Sequence, residues 1–259
     1  MRRSLLSTAA VGTLLLSAAC GEEEGLDGDP EGTERAVGEQ DEGSQQDPSR
    51  GAVEDVDAAP VSEASWDPAS IHVLVNKANP LEPADHVPPD LAVPDVPVEQ
   101  AVEMRAEPAA ALEELFAAAS EAEVPLVVTS AYRDFELQTA LYEHYSDTMG
   151  QEAADEVSAR PGHSEHQTGL AVDLSYPGNE ECYLKACFGD TPTGVWLADN
   201  AHEHGFIIRY PEESQEITGF SYEPWHLRYV GQETAVDVVG QGVTLEEYWD
   251  QPAAPDYED

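Results

Sequence analysis

The sequence predicts an α+β domain in which helices are grouped with a mostly antiparallel sheet, and three observations carry that expectation. GLAVDLS, residues 169–175, alternates as a strand does: Gly169, Ala171 and Asp173 fall on one face, and Leu170, Val172 and Leu174 fall on the other. Leu112, Leu115, Phe116 and Ala119 instead recur at helical spacing. Short apolar runs at 71–75, 124–129, 206–210 and 225–230 are too short for helices and rich in strand-forming side chains.

Taken in order, Ile71 to Val75 reads as an initial strand, and the proline-rich stretch from Pro80 to Pro97 must be loop or extended chain. A helix is expected from about Val98 to Ala122, followed by a buried strand over Val124 to Thr129. From Ser130, SAYRDFELQTALYEHY turns into a second helix with Phe135, Leu137, Leu141 and Tyr142 available for its buried face. After a loop at 159–165 comes GLAVDLS, one face packed in a core and the other kept small so that something can approach Asp173. Val195 to His204 reads as a third helix closed by Gly205. Phe206 to Tyr210 and Trp225 to Val230 complete the strands, and no internal repeat is present.

The N-terminus is of another character. Met1-Arg2-Arg3 is a short basic segment, and Leu5 to Ser17 is an apolar stretch of signal-peptide length, too short to span a bilayer as a helix. It ends in LLLSAAC, where Cys20 follows two alanines as the cysteine of a bacterial lipobox does, although Ser17 stands where a leucine is usual. That resemblance implies cleavage before Cys20 and lipidation of its thiol; plain secretion is the alternative. Residues 20–65 are rich in Glu, Asp, Gly, Gln, Ser and Pro without apolar periodicity and read as a disordered tether. The expected division is therefore a signal over 1–19, a tether over 20–65 and a folded domain over 66–259. Lipidation would place that domain on the outer face of the cytoplasmic membrane, held by the lipid anchor alone.

Charge excludes one class of partner. The chain carries 53 acids against 11 bases, and the 66–259 domain alone has 38 against 7. Such a surface repels nucleic acid. With Cys20 assigned to lipid, Cys182 and Cys187 remain as an even pair in an exported domain and are expected to form a disulfide, two free thiols being the alternative. A zinc site from the same pair lacks the CxxC spacing.

The chemistry lies in PGHSEHQTGLAVD, residues 161–173, and EPWH, residues 223–226. A catalytic zinc takes three protein ligands and keeps one position open, and His166, Asp173 and His226 supply two imidazoles and a carboxylate. Glu223 is the candidate general base, since zinc lowers the pKa of water to about 7 and a nearby carboxylate can take the proton. Pro224 disfavours helix at Glu223, and a polyproline-like segment of three residues per turn would turn Glu223 and His226 to one side. His163 is read as a neighbour of the site, because neither HSEH nor HEHG at 202–205 matches HExxH.

SAYRDFELQ, PGHSEHQTGLAVD, WLADNAHEHGFIIRYP and EPWHLRYVG resemble, in order, the motifs of the VanY-like D-alanyl-D-alanine carboxypeptidases, zinc peptidases that share the Hedgehog signalling-domain fold. The resemblance runs over about residues 70–249, from an opening LVNKANPL to a closing TLEEYW. It implies one zinc ion on His166, Asp173 and His226, with Glu223 as catalytic carboxylate. It also implies that Arg133, Gln138 and Ser164 contact the terminal carboxylate of a peptidoglycan stem peptide; a guanidinium suits that task because it binds carboxylate in bidentate fashion. Ala131 departs from the glycine of the usual SGYR and puts only the local loop in doubt. The implied reaction is removal of a terminal D-alanine; separately, the domain is expected to be a monomer. An L,D-carboxypeptidase acting on tetrapeptide stems and a non-catalytic zinc-bearing wall-binding module are the alternatives.

Overall fold

The computed structural model describes residues 63–257; the expected signal, Cys20 and the tether as far as residue 62 lie outside the described residues. The elements run β1 (Leu91–Ala92), β2 (Met104–Arg105), α1 (Ala106–Glu121), β3 (Val127–Ser130), α2 (Phe135–Met149), α3 (Gln151–Asp155), β4 (Ala171–Ser175), α4 (Pro192–Asn200), β5 (Phe206–Ile208), α5 (Gln215–Thr218), β6 (His226–Tyr229), α6 (Gln232–Gln241) and α7 (Leu245–Tyr248). β1 and β2 make a small hairpin-like pair, and the main sheet has the order β3-β4-β6-β5 with every neighbouring pair antiparallel. The α+β expectation holds.

Two cores flank the sheet, and alternation along β5 assigns its side chains between them. Phe206 joins the larger core with Leu112, Leu115, Val128, Val172 and Leu227, while Ile207 joins Leu74, Val238, Leu245 and Trp249 in the smaller one. Leu170, Val172 and Leu174 pack in the larger core as the alternation of GLAVDLS requires. Each such fully buried aliphatic side chain contributes about 1.5–3 kcal/mol of transfer free energy.

Several elements differ from expectation for identifiable reasons. Residues 71–75 do not join the main sheet; Val73 forms one bridge with Ser65, and the carbonyls of Ile71 and Val73 accept hydrogen bonds from Arg228 at 3.0 and 2.7 Å. A side chain supplies the partner that a neighbouring strand would otherwise provide. α1 begins at Ala106, not near Val98, because Glu99 N–H donates to Val128 O and Val128 N–H to Pro97 O, holding that stretch extended against β3. Pro108 then falls in the first helical turn, where no amide donor is missed. The burial expected of Leu137 in α2 is not found; it is 57% exposed, and the wholly buried residue of that helix is Gln138. α6 was not legible in the sequence: Gly231 precedes it, and Val236 and Val239 face outward beside the buried Ala235 and Val238, which blurs its periodicity.

Candidate active site

His166, Asp173 and His226 come together in the heart of the domain, 3%, 6% and 4% exposed. His166 lies in a single 3-10 turn, Glu165–Thr168, which Gly169 ends at φ 69°; a Cβ there would also press on Arg105. The reversal delivers the chain directly into β4, whose Asp173 is paired in register with His226 at the start of β6. One carboxylate and two imidazoles thus converge because a tight turn and a strand register place them there.

The donor atoms fit a metal. His166 Nε2 lies 3.2 Å from Asp173 Oδ2, His226 Nδ1 lies 3.1 Å from Asp173 Oδ1, and one donor from each residue falls within a 4.8 Å group. Bonds of ~2.1 Å around a tetrahedral zinc put donors roughly 3.4 Å apart, so small adjustments suffice. His166 Nδ1 is 2.7 Å from Ala131 O, which leaves Nε2 as the free lone pair. The backbone carbonyl of the one departure from the SGYR pattern is therefore a support of the site, and the alanine side chain does not disturb it. Burial lowers the His166 pKa against the pull of Asp173, a shift toward the neutral form that a metal needs. Burial opposes ionisation of Asp173, but contacts with both imidazoles outweigh it and hold the carboxyl well below its usual range. Burial likewise opposes protonation of His226, yet its hydrogen bonds to Asp173 and Glu165 raise it to about 9. A position that holds a proton this firmly between carboxylates favours a cation of any kind, and metal binding there must displace that proton.

Glu223 approaches His226 Nδ1 to 3.9 Å. The two are brought to one side by a β-turn with Pro224 in its second position, closed by a 3.1 Å hydrogen bond from His226 N–H to Glu223 O, and not by a polyproline segment. Burial, aided by the charge of Asp173 and opposed by His226 and Arg133, raises the Glu223 carboxyl from 4.5 to about 7.

These residues share a cavity of about 260 Å³ with Arg133, Ser164, Tyr210 and Trp225. Arg133 follows β3, and Asp134 beside it caps α2 through Leu137 N–H. Arg133 Nε donates to Gln138 Oε1 at 2.6 Å, and Nη1 reaches Ser130 Oγ at 3.5 Å. Arg105, Arg160, Arg209 and Arg228 all have carboxylates within 4 Å; Arg133 has none among the described residues. A half-buried guanidinium without an anion, in so acidic a protein, marks a position for an anionic ligand. Ser164 lines the same cavity. Gln138, expected to touch substrate, is wholly buried and has its amide committed elsewhere: Oε1 accepts from Arg133, and Nε2 donates to Ala159 O at 2.6 Å. Its place is behind Arg133, aiming it.

Cys182 and Cys187 are joined as expected, with Cα atoms 5.4 Å apart. Their loop puts Leu184, at φ 47°, on the cavity wall. His163 stays outside the ligand set, its Nδ1 2.9 Å from Asn76 O.

Sequence reasoning missed the layer beneath the site. Glu165 is fully buried, and its Oε1 accepts from Arg209 Nε at 2.8 Å and Arg228 Nη1 at 2.6 Å. Arg209 also forks onto Glu246 of α7, whose Oε1 accepts from Asn76. The signal was available: FIIRY and HLRYV each place an arginine inside an apolar strand run, where an ionised side chain requires a buried partner.

Comparison with known proteins converges on one group. Residues 101–232 match the family described as VanY, D-alanyl-D-alanine carboxypeptidase. The chain is similar to YodJ of Bacillus subtilis (strain 168), named as a carboxypeptidase, with 41% identity over 194 residues, 73% of this chain and 70% of that one. Among solved structures, the LdcB LD-carboxypeptidase is 41% identical, with a TM-score of 0.66 over 71% of this chain and 88% of its own. A variant of the vancomycin-resistance D,D-pentapeptidase VanY in complex with Zn(II) is 34% identical, with a TM-score of 0.58 over 71% of this chain and 99% of its own.

Proposed function

The chain belongs to the VanY family of D-alanyl-D-alanine carboxypeptidases, and on that premise we propose that this zinc peptide hydrolase releases the C-terminal D-alanine from peptidoglycan stem peptides. One observation carries the reading: the unpaired Arg133 lies in the same cavity as the three ligands and Glu223. A cation beside a hydrolytic centre selects substrates that end in a carboxylate close to the bond to be cut.

The roles follow from position. His166 Nε2, Asp173 and His226 Nδ1 would hold zinc, which when bound would polarise the scissile carbonyl and ease deprotonation of water. Arg133, aimed by Gln138, holds the terminal carboxylate and so fixes the register of the peptide against the ligands. Glu223 takes the proton of the attacking water and returns it to the leaving amine of D-alanine. A carboxyl buried enough to bind a proton near neutrality is suited to both halves of that transfer.

A pH dependence follows with a definite sign. Glu223 must be ionised to act as base, so activity falls as pH drops through its pKa. Its protein surroundings set that value at about 7, and a cation held on the three ligands would pull it lower. The acid limb of kcat/KM is therefore expected between 4.5 and about 7, and a limb above that window in a pH–rate profile would exclude Glu223 as the titrating group.

Two stem peptides carry the terminal carboxylate that Arg133 selects, and they differ in the configuration of the residue before the leaving D-alanine. The pentapeptide stem, cut between two D-residues, is the reading that the family description supports. The tetrapeptide stem, cut after an L-centre, is supported by the greater likeness to the LD-carboxypeptidase, 41% against 34% identity. Incubation of the zinc-loaded protein with penta-, tetra- and tripeptide stems, with products identified by mass spectrometry, tests both. Free D-alanine from the pentapeptide or the tetrapeptide supports the corresponding reading. D-Ala-D-Ala released as a dipeptide, or no release from any stem, overturns the carboxypeptidase assignment.

A further inference from the structure

We propose that Glu165 is a positioning residue of the metal centre, holding the His226 ring so that Nδ1 and not Nε2 is its metal-facing atom. The inference rests on the metal reading above and is independent of which stem peptide is cut. His226 Nδ1 is the atom that faces Asp173 and Glu223, at 3.1 and 3.9 Å. For Nδ1 to offer a lone pair, the proton must reside on Nε2, and a buried N–H without an acceptor is costly. Glu165 Oε2 lies 3.5 Å from Nε2, and both atoms are buried without a formed hydrogen bond among the described residues, each facing the one group that could partner it.

Glu165 is built for that task. Its other oxygen receives two guanidiniums, at 2.8 and 2.6 Å, so the fully buried carboxylate is doubly ion-paired. Both guanidiniums are themselves tied down. Arg228 is held by the carbonyls of Ile71 and Val73, and Arg209 by Glu246, which in turn accepts from Asn76. The opening LVNKANPL and closing TLEEYW segments, far from the metal in sequence, thus meet beneath it and brace one carboxylate. The two histidine ligands are supported unequally: His166 leans on the neutral carbonyl of Ala131 and His226 on a charged carboxylate. An anionic acceptor makes an imidazole the stronger donor to a metal.

A purely structural ion network makes a different prediction, and Glu246 separates the two. Glu246 is as buried as Glu165 and shares Arg209 with it, but it does not touch His226. Zinc affinity by chelator competition and the visible spectrum of the cobalt(II)-substituted full chain are measured for wild type, Glu165→Gln and Glu246→Gln. Glu165→Gln is expected to weaken zinc about 10- to 100-fold and to shift the cobalt bands. Glu246→Gln is expected to lower the melting temperature while weakening zinc and shifting the cobalt bands far less than Glu165→Gln does. Unchanged affinity and spectrum in Glu165→Gln, or equal weakening in Glu246→Gln, overturns the proposal. Should Glu165→Gln fail to fold, long-range ¹H–¹⁵N NMR of the zinc-loaded wild type decides: a proton on His226 Nε2 supports it, and a proton on Nδ1 overturns it. Wild type that binds no zinc at all defeats the metal centre itself, a result distinct from these.

Discussion

Glu223→Gln is expected to lower kcat by about 10²- to 10⁴-fold, the contribution of a general acid–base group, while zinc content and fold remain those of wild type. Glutamine keeps the size of the side chain and its place in the turn before β6, and removes only the capacity to exchange a proton. The ligands are separate residues, so the metal stays. If Glu223 were one more surface acid in an acidic protein, the substitution would be silent. Metal analysis and steady-state kinetics on the same preparation separate the cases, and near-normal turnover refutes the role.

Arg133→Met is expected to cost about 10²- to 10³-fold in kcat/KM, corresponding to roughly 2.7–4 kcal/mol for a charged hydrogen-bonded contact to substrate. Methionine retains the aliphatic stem and removes the guanidinium. Lysine at the same position restores charge without the planar fork and is expected to recover only part of the loss. A substrate amidated at its C-terminus supplies the control. Wild type should lose a comparable factor on the amide, while Arg133→Met should scarcely distinguish amide from acid, since the interaction is already gone. A variant that still prefers the free acid as wild type does would remove Arg133 from substrate recognition.

The chemistry of the site was legible because its parts are local. A histidine and an aspartate seven residues apart straddle a turn and a strand, and Glu223 with His226 occupies one four-residue turn. Pro224 unites that last pair by setting a β-turn and not through the polyproline geometry expected of it. The strands of the sheet were legible from apolar runs, whereas the start of α1 was not, since residues 97–99 bond to β3 and Met104–Arg105 pair with β1, which overrides the helical propensity of that stretch. Gln138 was assigned to substrate by resemblance, but only the fold reveals that its amide is already engaged on both sides. Glu165 was hidden for the opposite reason. Its partners at 209, 228 and 246 are distant in sequence, and no spacing rule connects them.

The order of strands has a consequence for when this hydrolase comes into being. β6 follows β5 in the chain yet lies between β4 and β5 in the sheet. A chain emerging N-terminus first therefore has β4 and β5 without the strand that joins them. Asp173 waits for His226 across that gap, and Arg209 waits longer still for Glu246. No fragment that stops short of β6 possesses the three ligands, so a nascent or truncated chain carries no hydrolytic centre.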